Sequence, residues 1–330
     1  MINVIIPTYN RSKCIEETLT NSLANYNGNL FCFEIHDSSE DDVTEKLVCE
    51  FKAKHSTFPL LYRKYASTLK VDDKVTEAIK RSQEDYFYLC GDGVFVDYNE
   101  LERVLKENQF SDFCLINVEE ASRIGHRGQD KDAVINSIYP CSNSIEFIGK
   151  YFSHLTYWGA SIISRRFFSE ILQAGYVEKY TSRKNLWWLA AVLAEGLELR
   201  QRQGEACNAA TIYLDCIGTN RFKGDHMWTK GEQYYYITFT LFNEAVDLLP
   251  DVYDEIKEKI IKFFRKDSLA TRPYLLKLKK SGTITLGRTF KYKTEIQRVS
   301  GLYWYMIILC ITPTFVMEWI YKLYMKVKWW

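Results

Sequence analysis

The first 125 residues alternate between short, continuously apolar runs and segments whose apolar residues recur every three or four positions. The apolar runs predict buried strands at Val4–Ile6, Phe31–Ile35, Leu60–Tyr62, Tyr86–Cys90 and Phe113–Ile116. The amphipathic segments between them predict helices. Strands that alternate with helices indicate an α/β fold with a mainly parallel sheet.

The pattern changes after this first α/β segment. Residues 119–144 are polar and predict a long loop, and further strands are predicted at Gly159–Ser164 and Thr211–Leu214. After about residue 230 the spacing becomes helical, as in the series Val252, Ile256, Ile260 and Phe264. Because no flexible linker interrupts the chain, we expect a first domain over residues 1–228 and a helical C-terminal region over residues 229–330 packed on it.

Composition restricts the class of protein. Of the 330 residues, 47% are hydrophobic and 26% are charged, which excludes disordered and low-complexity proteins. The nine cysteines include no C-x-x-C pair, which indicates reduced thiols in the cytosol rather than disulfides or a structural zinc site. The segment Met1–Pro7 is predicted to be a first strand, since it lacks the basic start of a signal peptide.

Three polar clusters follow predicted strands, at Pro7–Arg11, Asp37–Asp42 and Gly91–Gly93. Ligands of open parallel sheets bind beyond the carboxyl ends of the strands. These clusters are therefore the candidate binding residues.

The residues of these clusters resemble the motifs of family-2 glycosyltransferases, which have the GT-A fold. Ile5–Arg11 reads I-I-P-T-Y-N-R and is similar to the family's opening motif. His36–Asp41 resembles its D-D-G-S-x-D element, Tyr86–Gly93 resembles the element that normally ends in paired acids, and Tyr157–Arg166 resembles the segment near the acceptor site. The resemblance extends over roughly residues 1–220.

The resemblance implies a nucleotide-sugar donor site built from Pro7, Thr8, Tyr9, Arg11, Asp37, Asp73, Gly91, Asp92 and Gly93. Thr8 and Tyr9 would pack on the nucleoside, and Asp37 would bind its base or ribose. Arg11 would meet phosphate, although a solvent-exposed arginine at a helix start is an alternative. Asp37 also suits an ordinary turn, and Asp73 also suits a helix N-terminus.

The family's paired acids hold a divalent cation, Mn²⁺ or Mg²⁺, which bridges the diphosphate. Here the run is Gly91-Asp92-Gly93, so Asp92 is the single acid left as a metal ligand. One carboxylate can hold an ion that the diphosphate already chelates. We therefore expect weak metal binding without nucleotide and stronger binding with it.

Transfer with inversion, which the resemblance implies, needs a general base for the acceptor hydroxyl. In the family this base is often an acid after the Gly-Ala-Ser-type strand. Glu178 lies at about this position, and Asp225 and His226 are its rivals.

The C-terminal end is strongly basic. Between Lys262 and Trp330 there are 14 Lys or Arg residues and three Asp or Glu residues, while the whole chain has a net charge of +1. The uncharged stretch Leu302–Met317 is short for a span and contains Pro313. These features predict a helix in the membrane interface, on the cytoplasmic side, over a segment beginning near residue 262. A buried helix, a homo-oligomer contact or a single span are the alternatives, and the apolar stretch disfavours nucleic acid as partner.

The leading hypothesis is a membrane-surface glycosyltransferase that moves a sugar from a nucleotide donor, UDP by preference, to a lipid-linked glycan. Family members of this kind build bacterial capsules and other cell-surface polysaccharides. The alternative is a non-catalytic GT-A subunit that holds a partner enzyme, which the single acid at Asp92 favours. A nucleotidyltransferase is disfavoured, because Pro7–Ser12 contains no glycine.

Overall fold

The computed structural model describes residues 1–107, 112–116, 137–156, 158–205, 209–213, 217–219, 230–264, 268–299, 301–317 and 319. The chain forms two compact units. Unit 1 comprises Met1–Phe147, His154–Tyr176 and Gly196–Gly224. Unit 2 comprises Ile148–Ser153, Val177–Glu195 and Asp225–Trp330, so two short segments that precede residue 229 belong to it.

Unit 1 is built on an eight-stranded sheet. Its strands are β1 (Ile2–Thr8), β2 (Phe31–Asp37), β3 (Leu60–Lys64), β4 (Tyr86–Leu89), β6 (Phe113–Ile116), β7 (Ser137–Cys141), β8 (Ser161–Ser164) and β9 (Ala209–Tyr213). A separate antiparallel pair joins β5 (Val94–Val96) to β10 (Ile217–Thr219).

The strand order in the large sheet is β3-β2-β1-β4-β8-β6-β9-β7. The first four strands in this order are parallel, as are β6 and β9, whereas β8 and β7 run antiparallel to their neighbours. The predicted mainly parallel α/β sheet is therefore confirmed, and β1, β2 and β4 end along the same edge.

One prediction about unit 1 is wrong. The polar stretch at residues 119–144 was expected to form a loop throughout, but Ser137–Cys141 forms β7, which pairs with β9 at the edge of the sheet. Pro140 within this strand hides the pattern, because proline is tolerated in sheets mainly at edge strands. Residues 117–136 lie outside the described residues.

Helices connect the strands of unit 1 and flank its sheet. They are α1 (Ser12–Ala24), α2 (Val43–Lys54), α3 (Val71–Arg81), α4 (Tyr98–Glu107) and α6 (Arg165–Gln173). Three further helices, α5 (Ser144–Tyr151), α7 (Tyr176–Thr181) and α8 (Trp188–Arg202), have residues in both units or at their boundaries.

The two faces of β2 have different surroundings because successive side chains of a strand point in opposite directions. Phe33 and Ile35 belong to the apolar core together with Ile15 and Leu19 of α1. On the other face Glu34 is buried and accepts a hydrogen bond of 3.0 Å from Asn3 Nδ2. Glu34 also pairs with Arg63, and His36 Nδ1 lies 2.9 Å from the Tyr65 hydroxyl. The sheet therefore contains a buried polar cluster beside its apolar core.

Unit 2 is helical after residue 230, as predicted. Its helices there are α9 (Gly231–Tyr235), α10 (Phe242–Asp247), α11 (Asp254–Phe263), α12 (Arg272–Lys280), α13 (Leu286–Lys291), α14 (Lys293–Arg298) and α15 (Leu302–Ile311), and a π-helical segment (Tyr236–Leu241) joins α9 to α10. Aromatic rings hold this unit together: Phe242 stacks on Phe264 with centroids 4.1 Å apart, and Trp187 meets both edge-on.

The helix of the apolar C-terminal stretch ends just before Pro313, as proline at this position predicts. Helix α15 ends at Ile311, and Thr312 before Pro313 is extended, because proline disfavours helical backbone in the preceding residue. The Lys279 amine contacts the carbonyl oxygens of Leu309 and Thr312 and so caps this helix end. Within the described part of the chain, no helix has the length and apolarity needed to cross a bilayer.

Candidate active site

The loops that follow β1 and β4 meet at Asp92. The Thr8 hydroxyl donates a hydrogen bond of 2.8 Å to Asp92 Oδ2, and Arg11 Nη1 forms an ion pair with Oδ1. From helix α1, the Thr18 hydroxyl donates to the Asp92 backbone carbonyl at 2.9 Å. Asp92 is therefore bonded to the strand end of β1, to the loop after it and to the following helix.

The loops that follow β1 and β2 are also bonded to each other. The Ser38 amide donates to the Thr8 carbonyl at 3.2 Å, and the Asn10 amide donates to Ser39 Oγ at 2.8 Å. In return, Asn10 Oδ1 accepts from the Glu40 amide at 3.0 Å. Asn10 has φ of +52°, a left-handed conformation that asparagine adopts more readily than most residues. The two loops thus form one continuous surface.

Asp37 is fully enclosed at the end of β2. Its Oδ1 accepts hydrogen bonds from the amide and hydroxyl of Ser39, and its Oδ2 accepts from the Tyr62 hydroxyl at 2.8 Å and from Lys64 Nζ at 3.2 Å. Burial alone would raise the pKa of Asp37, but these hydrogen bonds outweigh it and lower the pKa below its ordinary value. The carboxylate therefore fixes the loop that carries Ser38 and Ser39.

Lys74, in the first turns of helix α3, also contacts these loops. Its side chain is 1% exposed, and Nζ donates to the Thr8 carbonyl at 2.7 Å and to Ser38 Oγ at 2.8 Å. Burial lowers the pKa of Lys74 to about 8, and the charges of Asp37 and Asp92 oppose that fall. The amine therefore bridges the ends of β1 and β2.

The pKa of Asp92 reflects the burial of its carboxyl group. It is 6% exposed, and burial raises its pKa above the ordinary value. The charge of Arg11 and the hydrogen bonds from Thr8 and Arg11 act in the opposite direction by stabilising the carboxylate. The buried carboxylate is thus paired with an arginine whose side chain is 27% exposed.

The glycines beside Asp92 form a turn. The Val94 amide donates to the Gly91 carbonyl at 3.0 Å, and a Cβ on Gly91 would lie 3.3 Å from Val94 Cγ2. Gly159, with φ of +100°, lies against the same valine, where a Cβ would approach to 2.9 Å. Gly93 is buried in the turn. Packing around Val94 therefore accounts for Gly91 and Gly159.

The remaining predicted residues have different surroundings. Pro7 is buried in β1 opposite His36, and Tyr9 is 44% exposed with its hydroxyl 2.7 Å from Glu40 Oε1. Asp73 is exposed, as is Glu178 in α7, which belongs to unit 2. The rivals of Glu178, Asp225 and His226, lie outside the described residues.

Sequence reasoning missed Lys74, Thr18, Tyr62 and Lys64 as members of this constellation. Lys74 stands beside the predicted Asp73, and a lysine on the buried side of an amphipathic helix was the available signal. Thr18 occurs on the same helical face as Ile15, where a polar residue must find a partner. Tyr62 and Lys64 give no signal, because their contact with Asp37 depends on the pairing of β2 and β3.

The divalent cation implied by the resemblance does not fit these residues. Mn²⁺ and Mg²⁺ bind oxygen ligands, typically one or two carboxylates together with phosphates and waters. Asp92 already accepts from Thr8 and neutralises Arg11, and Asp37 accepts four hydrogen bonds. Among the residues that the structure describes, no group of three or more His, Cys, Asp or Glu residues could hold a metal ion.

Comparison with known proteins agrees with this architecture. The profile of Glycosyl transferase family 2 matches residues 3–172. No curated protein sequence matches the chain significantly. Among solved structures, S. aureus TarS 1-349 in complex with UDP-GlcNAc is similar, with a TM-score of 0.55 and 15% identity over 94% of this chain and 81% of that one.

A second similar structure is the mannosyltransferase PcManGT from Pyrobaculum calidifontis in complex with GDP-Man and Mn²⁺. It has a TM-score of 0.53 and 11% identity over 98% of this chain and 87% of that one. Likeness at these identities shows the fold, and the profile match over residues 3–172 shows the family. The chain therefore belongs to glycosyl transferase family 2, and it is a glycosyltransferase with the GT-A fold.

Proposed function

We propose that the enzyme transfers a sugar from a nucleotide-diphosphate donor to a hydroxyl group of a lipid-linked glycan. The observation that supports this most is the junction of three strand ends. Thr8 from β1, Ser38 after β2 and Asp92 after β4 are connected through hydrogen bonds and through Lys74. This is the edge of a parallel sheet at which ligands bind.

In this proposal the nucleoside lies against Thr8, Tyr9 and the loop after β2. Tyr9 offers an exposed ring for stacking on a base. Asp37 keeps the loop in position through Ser39, and direct contact of its carboxylate with a base or ribose would require Tyr62 or Lys64 to move. A uridine nucleotide is the proposed donor, in keeping with the UDP-GlcNAc bound by TarS.

The proposed reaction inverts the configuration at the anomeric carbon. The acceptor oxygen attacks as its proton passes to a general base, and the bond to the nucleotide diphosphate breaks. Glu178 is the proposed base because its carboxylate is exposed at the start of a helix after the Gly159–Ser164 segment. Asp225 is the rival.

We further propose that the enzyme attaches to the cytoplasmic surface of the membrane, where a lipid-linked acceptor of capsule or cell-surface polysaccharide synthesis would be anchored. The support is an exposed stripe made of Trp304, Ile308, Ile311, Phe315 and Trp319, each more than half exposed. Trp304, Ile308 and Ile311 have the spacing of one helix face in α15, and Phe315 and Trp319 follow the break at Pro313. Helix α12, which contacts α15, adds the exposed lysines Lys277 and Lys280. Apolar rings flanked by lysines suit an anionic lipid interface.

The proposed activity can be tested with purified protein and a panel of nucleotide sugars. We expect release of UDP from one UDP-sugar, accelerated by a membrane extract that contains lipid-linked glycan. Slow hydrolysis of the donor without acceptor is also expected. If no nucleotide sugar is bound or consumed, the donor assignment is wrong.

The second candidate is a non-catalytic GT-A subunit. The pairing of Asp92 with Arg11 favours it, because the acid at the usual metal position is neutralised by the chain itself. Donor binding without hydrolysis or transfer, under conditions in which the protein is folded, would support this candidate over the enzyme.

A further inference from the structure

We propose that Arg11 holds the donor diphosphate in place of a resident divalent cation, and that Asp92 is the positioning residue that orients Arg11. The inference rests on the proposed function, since it takes a nucleotide diphosphate as the ligand at this edge of the sheet. It differs from the sequence-based expectation, in which Asp92 is a metal ligand.

The first support is the arrangement of the carboxylate. Asp92 is fixed on three sides, by Thr8 at Oδ2, by Arg11 at Oδ1 and by Thr18 at its backbone carbonyl. Its side chain is 8% exposed. A carboxylate enclosed in this way is suited to holding a cationic side chain rather than to completing the coordination shell of an ion.

The second support is the position of Arg11. It is the last residue before α1, and its side chain remains 27% exposed although it pairs with a carboxylate that is 8% exposed. Among the described contacts, only Nη1 of the guanidinium is engaged. A guanidinium has five N–H donors in a planar fork, and it binds carboxylate and phosphate oxygens with the same geometry. Arg11 can therefore bridge Asp92 and a phosphate.

The third support is the charge around the two buried carboxylates. Asp92 is paired with Arg11, and Asp37 is paired with Lys64. Lys74 is an additional buried amine between them, and its carbonyl and hydroxyl partners bring no negative charge. Glu40 carries its charge on the exposed side of the loop. Lys74 thus adds a buried positive charge beyond the two ion pairs, and the negative charge of a diphosphate could balance it.

The test is calorimetric titration of the full-length protein with UDP, and in parallel with GDP, in excess EDTA and in excess MnCl₂. The variants are Arg11→Gln and Asp92→Asn. Arg81→Gln, which removes an exposed arginine from α3 in the same unit, is the matched control. Arg11→Lys keeps the charge and serves as a second variant, and thermal unfolding checks that each protein is folded.

We expect the wild type and the control to bind nucleotide about equally well in EDTA and in MnCl₂. Arg11→Gln should weaken binding in EDTA by about tenfold or more, the loss expected for a charge-assisted contact. Manganese should restore part of this lost affinity, because the Asp92 carboxylate is then no longer paired with an arginine and can bind the ion. Asp92→Asn should weaken binding by a similar factor in both buffers, since Arg11 loses its support.

Two results would overturn the proposal. Nucleotide binding that needs Mn²⁺, is abolished by Asp92→Asn and is unchanged by Arg11→Gln would return Asp92 to the role of metal ligand while leaving the proposed function intact. Absence of UDP and GDP binding in both buffers would contradict the proposed function itself, and this inference with it.

Discussion

Replacing Lys74 with methionine should leave the free energy of unfolding almost unchanged and should weaken nucleotide binding at the site. Lys74 is 1% exposed, and burial lowers its pKa from 10.5 to about 8. At about 1.36 kcal/mol per pKa unit, the folded state pays roughly 3 kcal/mol to keep this amine charged at pH 7. Methionine has a similar shape and removes that cost.

The substitution also removes two hydrogen bonds, to the Thr8 carbonyl and to Ser38 Oγ, and bonds from a charged donor contribute about 1.5 kcal/mol each. The Thr8 carbonyl keeps the Ser38 amide as a partner. The two contributions nearly cancel, so the free energy of unfolding of Lys74→Met should lie within about 1 kcal/mol of the wild-type value at pH 7. Nucleotide affinity should fall about tenfold, because a buried positive charge that joins two loops of the donor site is lost.

The pH dependence gives an independent signature. Because the pKa of Lys74 is lower in the folded state, the unfolded chain binds more protons between about pH 8 and pH 10.5. Lys74 therefore makes the wild type more stable as the pH rises through this window. Lys74→Met should lack this contribution, whereas Lys80→Met, an exposed lysine of the same helix, should keep it.

Urea unfolding at pH 7 and pH 10, with UDP titration in parallel, measures these quantities. A Lys74→Met protein that is less stable than the wild type by more than about 2 kcal/mol at pH 7 would refute the reasoning, because the hydrogen bonds would then outweigh the cost of burial. Unchanged UDP affinity would show that Lys74 serves the fold alone.

Three further predictions concern other parts of the chain. Burial would raise the pKa of Glu34, but the nearby His36 ring and the hydrogen bonds from Asn3 and Arg63 lower it to about 2. Its contribution of roughly 3 kcal/mol should therefore be lost as the pH falls from about 4.5 to 2. Urea unfolding at pH 5 and pH 3 should show a smaller loss of stability in Glu34→Gln than in the wild type, and an equal loss would contradict this prediction. Glu178→Gln should lower the turnover number by about 10²-fold or more with unchanged UDP affinity, and normal turnover would direct the same assay to Asp225→Asn. Trp304→Ser combined with Ile308→Ser should reduce the fraction of protein that sediments with anionic liposomes by roughly tenfold or more. The control Leu61→Ser, which removes an exposed apolar side chain from β3, should not reduce it. Equal sedimentation of the double variant and the wild type would favour an oligomer contact for the stripe.

Local patterns predict most of the sheet because each strand carries its own signal. Tyr86–Leu89 and Phe113–Ile116 are continuously apolar and largely buried, and runs as short as these favour strands over helices. The strand β7 escaped prediction because Ser137–Cys141 lies near the end of a polar stretch and contains a proline. Its place in the sheet depends on pairing with β9, which lies about 70 residues further along the chain.

The candidate site was predictable in outline but not in its contacts. The sequence shows that Thr8, Asp37 and Asp92 follow strands, and parallel strands bring their carboxyl ends together. It cannot show that Arg11 would form an ion pair with the carboxylate of Asp92, since the two residues are 81 positions apart. Helical spacing places Lys74 on the same face as Ala78, but the sequence cannot show which groups its amine contacts there.

We propose that the loops after β1, β2 and β4 form the donor site, and the decisive measurement is a crystal structure of the protein with bound UDP. We expect a uridine against Thr8, Tyr9 and the Ser38–Glu40 loop, with a phosphate oxygen within hydrogen-bond distance of Arg11. A nucleotide bound at another place on the chain, or a diphosphate that contacts neither Arg11 nor the turn at Asp92, would contradict it.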